Sequence, residues 1–408
     1  MKVPFDIKRI FLVAVLCAVQ VIPVSGQKKA ELAPAPIMGW NSWNWFRKDS
    51  INETIVREVI DAMERTGLRD LGYNYVVVDG GWRDVKLGEK GELLSHPEKF
   101  PSGMKALADY AHSKGFKFGV HTVPGYYDCG CDPVGGWGHE ALQVAQFVDW
   151  GLDYIKLDRC RFTLDNGPDK GWSEENVHSA YLKWSKLLHD CGRDITFTIC
   201  AYKFRDWYPD WCNFARTTGD IGLRLNGGAF FERADRGRKG LNSVMEIAEI
   251  NNKWADRAGN GYWNDPDALA LGEQGMTEEE QRAHFALWCI MSAPLILGND
   301  PRNMQPYEWD IISNRDAISV NQDATEQGRR IWKEGDCEVW KKNLSGGKCA
   351  LLLLNRAKAP ASITIDLKEI TGHKSARLTD IYTHKKIGRK SSYTVQFTKR
   401  DCQFIIVK

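Results

Sequence analysis

Between about residues 36 and 300, short apolar runs alternate with longer amphipathic segments. Eight runs are rich in apolar and β-branched residues and end in polar ones, at 37–43, 73–82, 116–124, 152–160, 195–202, 214–221, 261–268 and 294–300. The segments between them repeat apolar residues at steps of three and four, as helices with one buried face do. They cover 52–66, 104–114, 140–150, 174–189, 241–255 and 278–291.

This alternation predicts the fold of the larger part of the chain. Strands that alternate with helices pair in parallel through crossover connections. Eight such units over ~260 residues match a (β/α)8 TIM barrel in size and number. A doubly wound sheet typically has fewer strands and a Gly-rich phosphate loop, which the sequence lacks. We therefore predict an α/β protein whose first domain is a (β/α)8 barrel.

The pattern changes after about residue 320. Short runs at 331–332, 337–340, 350–354, 362–365, 393–397 and 403–407 are separated by turn-rich pieces such as Ser345-Gly346-Gly347. This is typical of a small antiparallel β-sandwich. We predict a signal peptide at 1–26, a (β/α)8 barrel at 27–325 and a C-terminal antiparallel β domain at 326–408.

The first 26 residues have the features of a secretory signal. Lys2, Lys8 and Arg9 precede an apolar run over 10–24, and Ser25-Gly26 supplies small residues before Gln27. The run is shorter than the about 20 apolar residues that a membrane-spanning helix needs. We expect an exported protein, secreted or periplasmic, with no membrane span. Cleavage removes Cys17 and leaves ten of the 11 cysteines in a compartment that permits disulfides.

Charge narrows the choice of partner. Lys plus Arg number 55 and Asp plus Glu number 53, which gives a net charge of +2. Like charges form no long block, which argues against nucleic acid or an acidic membrane as partner. An uncharged or weakly charged substrate is favoured.

The run at 152–160 delivers two opposite charges to one face. Because side chains alternate along a strand, Lys156 and Asp158 point to one side, and Ile155 and Leu157 to the other. Taken alone, the charged pair is explained better by a buried ion pair that stabilises the fold than by catalysis. Other strand ends decide between this interpretation and a functional site.

Polar and aromatic residues end five of the predicted strands. In a barrel of this kind the carboxyl ends of the strands meet at one rim, where active sites are built. Each desolvated carboxylate costs several kcal/mol unless it is paired, so stability alone explains so many poorly. A functional rim is therefore predicted at Trp40, Trp43, Asp79, Lys156, Asp158, Arg216, Asp220, Asp265 and Asp267.

The residue types at this rim indicate the chemistry. The sequence shows no His pair at helical spacing and no compact Cys/His cluster for zinc, and Cys129-Gly130-Cys131 is too tight for a usual metal clip. It also lacks a nucleophile elbow for a Ser-His-Asp site. Two carboxylates that face a glycosidic bond, one ionised and one protonated, fit the rim without a metal or cofactor.

Four motifs, in this order, resemble glycoside hydrolase family 27, the α-galactosidase and α-N-acetylgalactosaminidase family. They are the segments MGWNSW from Met38, DWGLDYIKLDRC from Asp149, RTTGDI from Arg216 and WNDPD from Trp263. The resemblance runs from about Met38 to the C-terminus. It implies the barrel, the C-terminal β domain and a carbohydrate substrate.

The resemblance also implies a retaining double displacement. Asp158 matches the family nucleophile and Asp220 the acid/base, two carboxyl groups that should lie roughly 5 Å apart. The residues that match substrate-binding positions are Trp43, Asp79, Lys156, Arg216 and Asp267. For Asp265 we expect a strand-end cap or a supporting partner, and for Trp40 core packing.

Two disulfides are implied in the same way. Cys129–Cys160 would brace the loop beside the nucleophile strand, and Cys200–Cys212 would tie the ends of strands five and six. The remaining cysteines stay unassigned: Cys131, Cys191, Cys289, Cys337, Cys349 and Cys402.

Two positions depart from the family pattern. Family α-galactosidases commonly carry two adjacent Asp residues for the hydroxyls at carbons 4 and 6, whereas Asp79 is followed here by Gly80. After Cys200, galactose enzymes place a Glu against the 2-hydroxyl and N-acetyl enzymes a small residue, whereas this chain has Ala201. Gly80 is expected to open space near carbon 6. Ala201 is expected to open space near carbon 2, which the bulky Phe204 can fill again.

The favoured function is a secreted retaining glycoside hydrolase that releases terminal α-linked galactose from oligo- or polysaccharides. Alternatives with the same fold and mechanism are an α-N-acetylgalactosaminidase, a β-L-arabinopyranosidase and a dextranase that releases isomaltose. A non-catalytic sugar-binding protein is a further alternative. Asp158 and Asp220 argue against it, because a binder needs no paired nucleophile and acid.

Overall fold

The computed structural model describes residues 28–160, 173–222, 229–232 and 241–408, and the predicted signal segment 1–26 lies outside them. Its first sheet contains the parallel strands β1 (Met38–Asn41), β2 (Tyr75–Val78), β3 (Lys117–Thr122), β4 (Tyr154–Asp158), β5 (Thr196–Cys200), β6 (Phe214–Arg216), β7 (Trp263–Asp265) and β8 (Leu295–Leu297).

These strands lie in the order β7-β6-β5-β4-β3-β2-β1-β8. Just after β7, Leu269 pairs in parallel with Leu297 of β8, which closes the sheet into a barrel. The barrel prediction is confirmed, and each strand lies within its predicted run.

Helices connect the barrel strands, and two more follow the last strand. They are α1 (Trp43–Ser50), α2 (Glu53–Thr66), α3 (Gly103–Ser113), α4 (Glu140–Asp149), α5 (Glu174–Asp190), α6 (Tyr208–Trp211), α7 (Val244–Asn252), α8 (Glu278–Ile290), α9 (Pro306–Ile312) and α10 (Arg315–Gln322). Side chains cap several of them: Asn52 accepts from the third residue of α2, and Thr277 and Glu280 form a capping box at α8. Among the described residues, no helix has the length and apolar character needed to cross a membrane.

Alternation along β4 decides which of its side chains face the barrel axis. Tyr154 belongs to an interior cluster of the barrel. Ile155 and Leu157 belong instead to the core between sheet and helices. Lys156 and Asp158, two and four residues after Tyr154, therefore point inward as well, nearer the carboxyl end of the strand.

The C-terminal part is antiparallel. The strands β9 (Arg329–Glu334), β10 (Cys337–Leu344), β11 (Lys348–Asn355), β13 (Ala376–Asp380), β14 (Lys386–Lys390) and β16 (Asp401–Val407) form one sheet, in the order β14-β13-β16-β11-β10-β9. The strands β12 (Ala361–Asp366) and β15 (Ser392–Phe397) form a second sheet, and α11 (Leu367–Thr371) follows β12. The predicted antiparallel domain is confirmed, with β13 and β14 as strands that the sequence pattern did not indicate.

The larger antiparallel sheet has two apolar faces. Leu351 and Leu353 of β11 pack into the core between the two C-terminal sheets. Leu352 and Trp340, which point the other way, join the core of the barrel, which includes Trp288 of α8. Side chains alternate between the two faces of a strand, so the same strands contribute to the core of the β domain and to its contact with the barrel.

Candidate active site

A pocket lies at the carboxyl ends of the barrel strands. All residues predicted for catalysis or substrate binding line it: Trp43, Asp79, Lys156, Asp158, Arg216, Asp220 and Asp267. Parallel register accounts for their meeting, since Lys156 of β4 lies between His121 of β3 and Thr198 of β5. Several lining residues had no predicted role: Asn41, His121, Tyr154, Thr198 and Tyr202.

One cation lies between two buried carboxylates in this pocket. The Nζ atom of Lys156 is 2.8 Å from Oδ2 of Asp79 and 3.7 Å from Oδ2 of Asp158. Asp79 also accepts hydrogen bonds from the side chain of Asn41 and from the backbone N–H of Gly80. The short Lys156–Asp158 distance agrees with the prediction that both side chains share one strand face.

The pKa values follow from this arrangement. Burial acts to raise the pKa of Asp79, but the charge of Lys156 and the hydrogen bonds from Lys156 and Asn41 outweigh it and hold that pKa well below its usual range. For Lys156, burial acts to lower the pKa, whereas Asp79 and other neighbours raise it well above its ordinary value. Both members of the pair are therefore ionised at neutral pH.

The carboxylate of Asp158 is held from both sides. Its Oδ1 atom accepts hydrogen bonds from the Tyr202 hydroxyl at 2.7 Å and from the Cys160 backbone N–H at 3.2 Å. Its Oδ2 atom faces Lys156 and lies 4.0 Å from Nε2 of His121. Burial lowers the pKa of His121, so this imidazole is neutral at neutral pH.

On the other side of the pocket, one guanidinium joins two carboxylates. Nη2 of the buried Arg216 lies 3.1 Å from Oδ1 of Asp220 and 2.8 Å from Oδ2 of Asp267. The Asp220 side chain is 49% exposed, whereas that of Asp267 is 14% exposed. Burial raises the pKa of Asp267 to about 6, and the nearby Asp220 and Asp265 add to this effect although Arg216 opposes it.

Two of the pocket residues have left-handed backbone conformations. Tyr202 has φ 62° and Asp267 has φ 103°. Such conformations are costly for residues other than Gly and gather at functional sites when the surroundings hold them. Asp267 is held by the backbone N–H groups of Ile221 and Ala268, which donate to its carboxylate.

Trp40 and Asp265 have the structural roles that were expected. Trp40 is fully buried, and its Nε1–H donates to the backbone carbonyl of Asn299. Oδ1 of Asp265 accepts from the backbone N–H of Asp267, which caps the end of β7. Both predictions are confirmed.

The loop after β5 differs from the expected arrangement. Ala201 is fully buried in the main core and is not a lining residue of the pocket. Phe204 stacks on Trp254, with ring centroids 4.2 Å apart, and does not line the pocket either. Tyr202 lies next to Asp158 instead, so the prediction that Phe204 fills the space near carbon 2 is wrong.

The disulfide between Cys129 and Cys160 is present, as predicted. The predicted Cys200–Cys212 disulfide is wrong, because both are free, buried thiols. Sγ of Cys200 lies 3.7 Å from Nη1 of Arg216. Sγ of Cys212 is directed instead towards the Tyr208 carbonyl, 3.3 Å away. The two thiols therefore contact different partners and do not point at each other.

Among the described residues, one group brings together three side chains of metal-binding types: His121, Cys129 and Cys160. Its two sulfur atoms form the disulfide with each other. A metal ligand must be a thiolate, so these sulfurs are unable to act as ligands while the bond exists.

Comparisons with known proteins agree with this geometry. The family described as "Alpha galactosidase A" matches residues 35–323, and "Alpha galactosidase C-terminal beta sandwich domain" matches residues 334–407. Alpha-galactosidase 2 of Arabidopsis thaliana is 38% identical over 89% of this chain and 85% of its own length. Alpha-galactosidase A of Homo sapiens is 33% identical over 82% of this chain and 77% of its own.

A solved structure has the same architecture. The crystal structure of alpha-galactosidase I from Mortierella vinacea matches with a TM-score of 0.85 and 29% identity, over 93% of this chain and 98% of that one. The barrel, the β domain and the carboxylate-lined pocket define a glycosidase that acts on a carbohydrate. The chain belongs to glycoside hydrolase family 27, the α-galactosidase family.

Proposed function

We propose that this enzyme is an α-galactosidase that releases terminal α-linked galactose with retention of configuration, with Asp158 as nucleophile and Asp220 as acid/base. The observation that carries the proposal is the pocket in which these two carboxylates meet. One is buried against a lysine, and the other is half-exposed beside an arginine. Relatives named α-galactosidases support galactose as the sugar.

In the first step, a carboxylate oxygen of Asp158 attacks the anomeric carbon. The bond from that carbon to the leaving oxygen breaks, and the proton of Asp220 passes to the leaving oxygen. Lys156, whose Nζ lies 3.7 Å from Oδ2 of Asp158, favours the ionised nucleophile. The half-exposed Asp220 stands where a leaving group can depart into solvent.

In the second step, water attacks the anomeric carbon of the glycosyl-enzyme. Asp220, now ionised, accepts a proton from that water, and the bond between the sugar and Asp158 breaks. Two inversions give net retention. The buried Arg216 stabilises the ionised form of Asp220 in this step, because its Nη2 lies 3.1 Å from that carboxylate.

The remaining pocket residues bind the sugar. Asp79 and Lys156 offer an acceptor and a donor to ring hydroxyls beside the nucleophile. Trp43 supplies an aromatic wall. Asp267, linked to Arg216, offers a second acceptor on the far side. Asp79, Lys156 and Asp267 are each held by an ion pair in the pocket, so a ring hydroxyl meets groups that are already in place.

A specific observation favours a second substrate. A Cβ atom on residue 80 would lie 3.2 Å from the ring of Trp43, so the ring occupies the region that Gly80 was expected to open near carbon 6. A β-L-arabinopyranoside has the ring configuration of an α-galactoside and lacks carbon 6. A pocket without a carboxylate at residue 80 therefore loses little when that substituent is missing. The same ring contact disfavours a dextranase, which needs room at carbon 6.

We also propose that residues 1–26 direct export and are removed, which leaves a barrel at 27–325 and a β domain at 326–408. The Cys129–Cys160 disulfide supports an oxidising compartment. N-terminal sequencing of protein recovered outside the cytoplasm is expected to begin at Gln27. Recovery of the uncleaved chain from the cytoplasm would contradict this.

The substrate test compares initial rates on p-nitrophenyl glycosides of α-galactose, α-N-acetylgalactosamine and β-L-arabinopyranose, and on dextran. We expect the α-galactoside to be hydrolysed fastest and the arabinopyranoside next, with α-galactose as the first product seen by NMR. Asp158→Asn should be inactive on all of them. Equal inertness of wild type and variant on the whole panel would favour a sugar-binding protein and overturn the proposal.

A further inference from the structure

We propose that Tyr202 is a positioning residue for Asp158: its hydroxyl fixes the nucleophilic carboxylate and favours the ionised form. This inference rests on the proposed role of Asp158 and deepens it. The Tyr202 hydroxyl lies 2.7 Å from Oδ1 of Asp158, the shortest hydrogen bond that this carboxylate makes in the described part of the chain.

The hydrogen bond has a fixed direction. Burial and the neighbouring carboxylate of Asp158 raise the pKa of Tyr202 far above its ordinary value. The phenol therefore keeps its proton throughout the working range of a glycosidase. It acts as the donor, and Asp158 as the acceptor. A donor of this kind stabilises the ionised carboxylate and not the protonated one.

The backbone conformation of Tyr202 directs its ring towards Asp158. Tyr202 has φ 62°, a conformation that a bulky residue adopts only when its surroundings require it. The guanidinium of Arg159 lies 5.2 Å from the ring centroid and packs on the ring from the nucleophile strand. Ala201 and Phe204 on either side turn into the protein core, so Tyr202 is the residue of this loop that lines the pocket.

The two oxygens of Asp158 are thus unequal. Oδ1 accepts from the Tyr202 hydroxyl and from the Cys160 backbone, whereas Oδ2 faces the Lys156 ammonium at 3.7 Å. The doubly held Oδ1 keeps the carboxylate from rotating, which leaves Oδ2 to form the bond to the anomeric carbon. When the glycosyl-enzyme breaks down and charge returns to Asp158, the same hydroxyl stabilises the leaving carboxylate. Tyr202 therefore assists both steps without giving up its proton.

The test uses Tyr202→Phe in the full-length enzyme, which removes one oxygen and keeps the ring. Loss of a hydrogen bond to a charged group is expected to lower kcat/KM for p-nitrophenyl α-galactoside by about tenfold to a hundredfold. The acid limb of the kcat/KM profile should move to higher pH, because the carboxylate loses a donor that favours ionisation. Tyr126→Phe, which changes an exposed tyrosine, serves as the matched control.

Two results would overturn the inference. One is a Tyr202→Phe enzyme with unchanged kcat/KM. The other is a lower kcat/KM with an acid limb at the wild-type pH, which would indicate that Tyr202 only shapes the loop. Wild type and Asp158→Asn are measured in parallel. An inactive wild type would refute the proposed function, whereas an active wild type with an unaffected Tyr202→Phe variant would refute only the role of Tyr202.

Discussion

The indole ring of Trp43 lies next to Gly80, where it would be in tight contact with a side chain at residue 80. A Cβ atom at Gly80 would lie 3.2 Å from Cζ3 and 3.7 Å from Cε3 of this ring. The guanidinium of Arg47 packs over the same ring, 4.9 Å from its centroid. The absence of a side chain at residue 80 therefore leaves room for the Trp43 ring in the wall of the pocket.

Gly80→Ala tests this relationship with the smallest possible change. The added methyl group is expected to push the Trp43 ring and lower kcat/KM for the α-galactoside about fivefold, which corresponds to about 1 kcal/mol of overpacking. Steady-state kinetics on purified protein provide the measurement. Val85→Ala, at a residue 59% exposed, is the control. Equal kinetics of Gly80→Ala and wild type would contradict the contact.

The ion pair between Lys156 and Asp79 predicts a stability effect. Lys156→Met leaves Asp79 buried without its nearest cation, so the free energy of unfolding should fall by about 3 to 5 kcal/mol. Adding Asp79→Asn removes the unpaired charge and should restore part of the loss, while activity stays absent. Urea unfolding of the two single variants and the double variant measures this. A loss below about 1 kcal/mol in Lys156→Met would refute it.

Much of the barrel could be predicted from the sequence, for a physical reason. Parallel strands are buried on both faces and form short apolar runs, such as the fully buried β2. Because their carboxyl ends share one rim, the charges that follow them are brought together by topology alone. Asp79, Lys156 and Asp158 meet in this way. No knowledge of individual side-chain contacts was needed.

The loop after β5 could not be predicted, because side-chain direction there depends on the backbone. A left-handed Tyr202 turns its ring to Asp158 and leaves Phe204 to pack on Trp254. The same limitation explains the wrong Cys200–Cys212 disulfide, since spacing in the sequence does not reveal where each thiol points. The edge strand β14 was missed because Ile387 is the only large apolar residue among its five, and most of that strand is exposed.

Lys342 should make the free energy of unfolding depend on pH in the alkaline range. It extends from β10 into the contact with the barrel, where Nζ lies 2.7 Å from Oγ of Ser292. Burial lowers its pKa from 10.5 to about 8. Between these two pH values the unfolded chain binds more protons than the folded protein, so the free energy of unfolding rises with pH across that window. The rise amounts to about 3 kcal/mol.

Urea unfolding of wild type and Lys342→Met at pH 8 and near pH 10.5 isolates this effect. Other lysines and tyrosines titrate in the same range in both proteins, so the difference between them reports on Lys342. Wild type should gain stability relative to the variant as pH rises. Parallel pH curves would show that the buried amine does not titrate in this window.

The assignment of nucleophile and acid/base is tested most directly by azide rescue with product stereochemistry. Asp158→Gly and Asp220→Gly are each incubated with p-nitrophenyl α-galactoside and azide, and the galactosyl azide is identified by NMR. Without the nucleophile, azide attacks from the opposite face and should give the β-azide. Without the acid/base, azide opens the glycosyl-enzyme and should give the α-azide. The reverse pairing of variants and anomers, or the same anomer from both, would contradict the account.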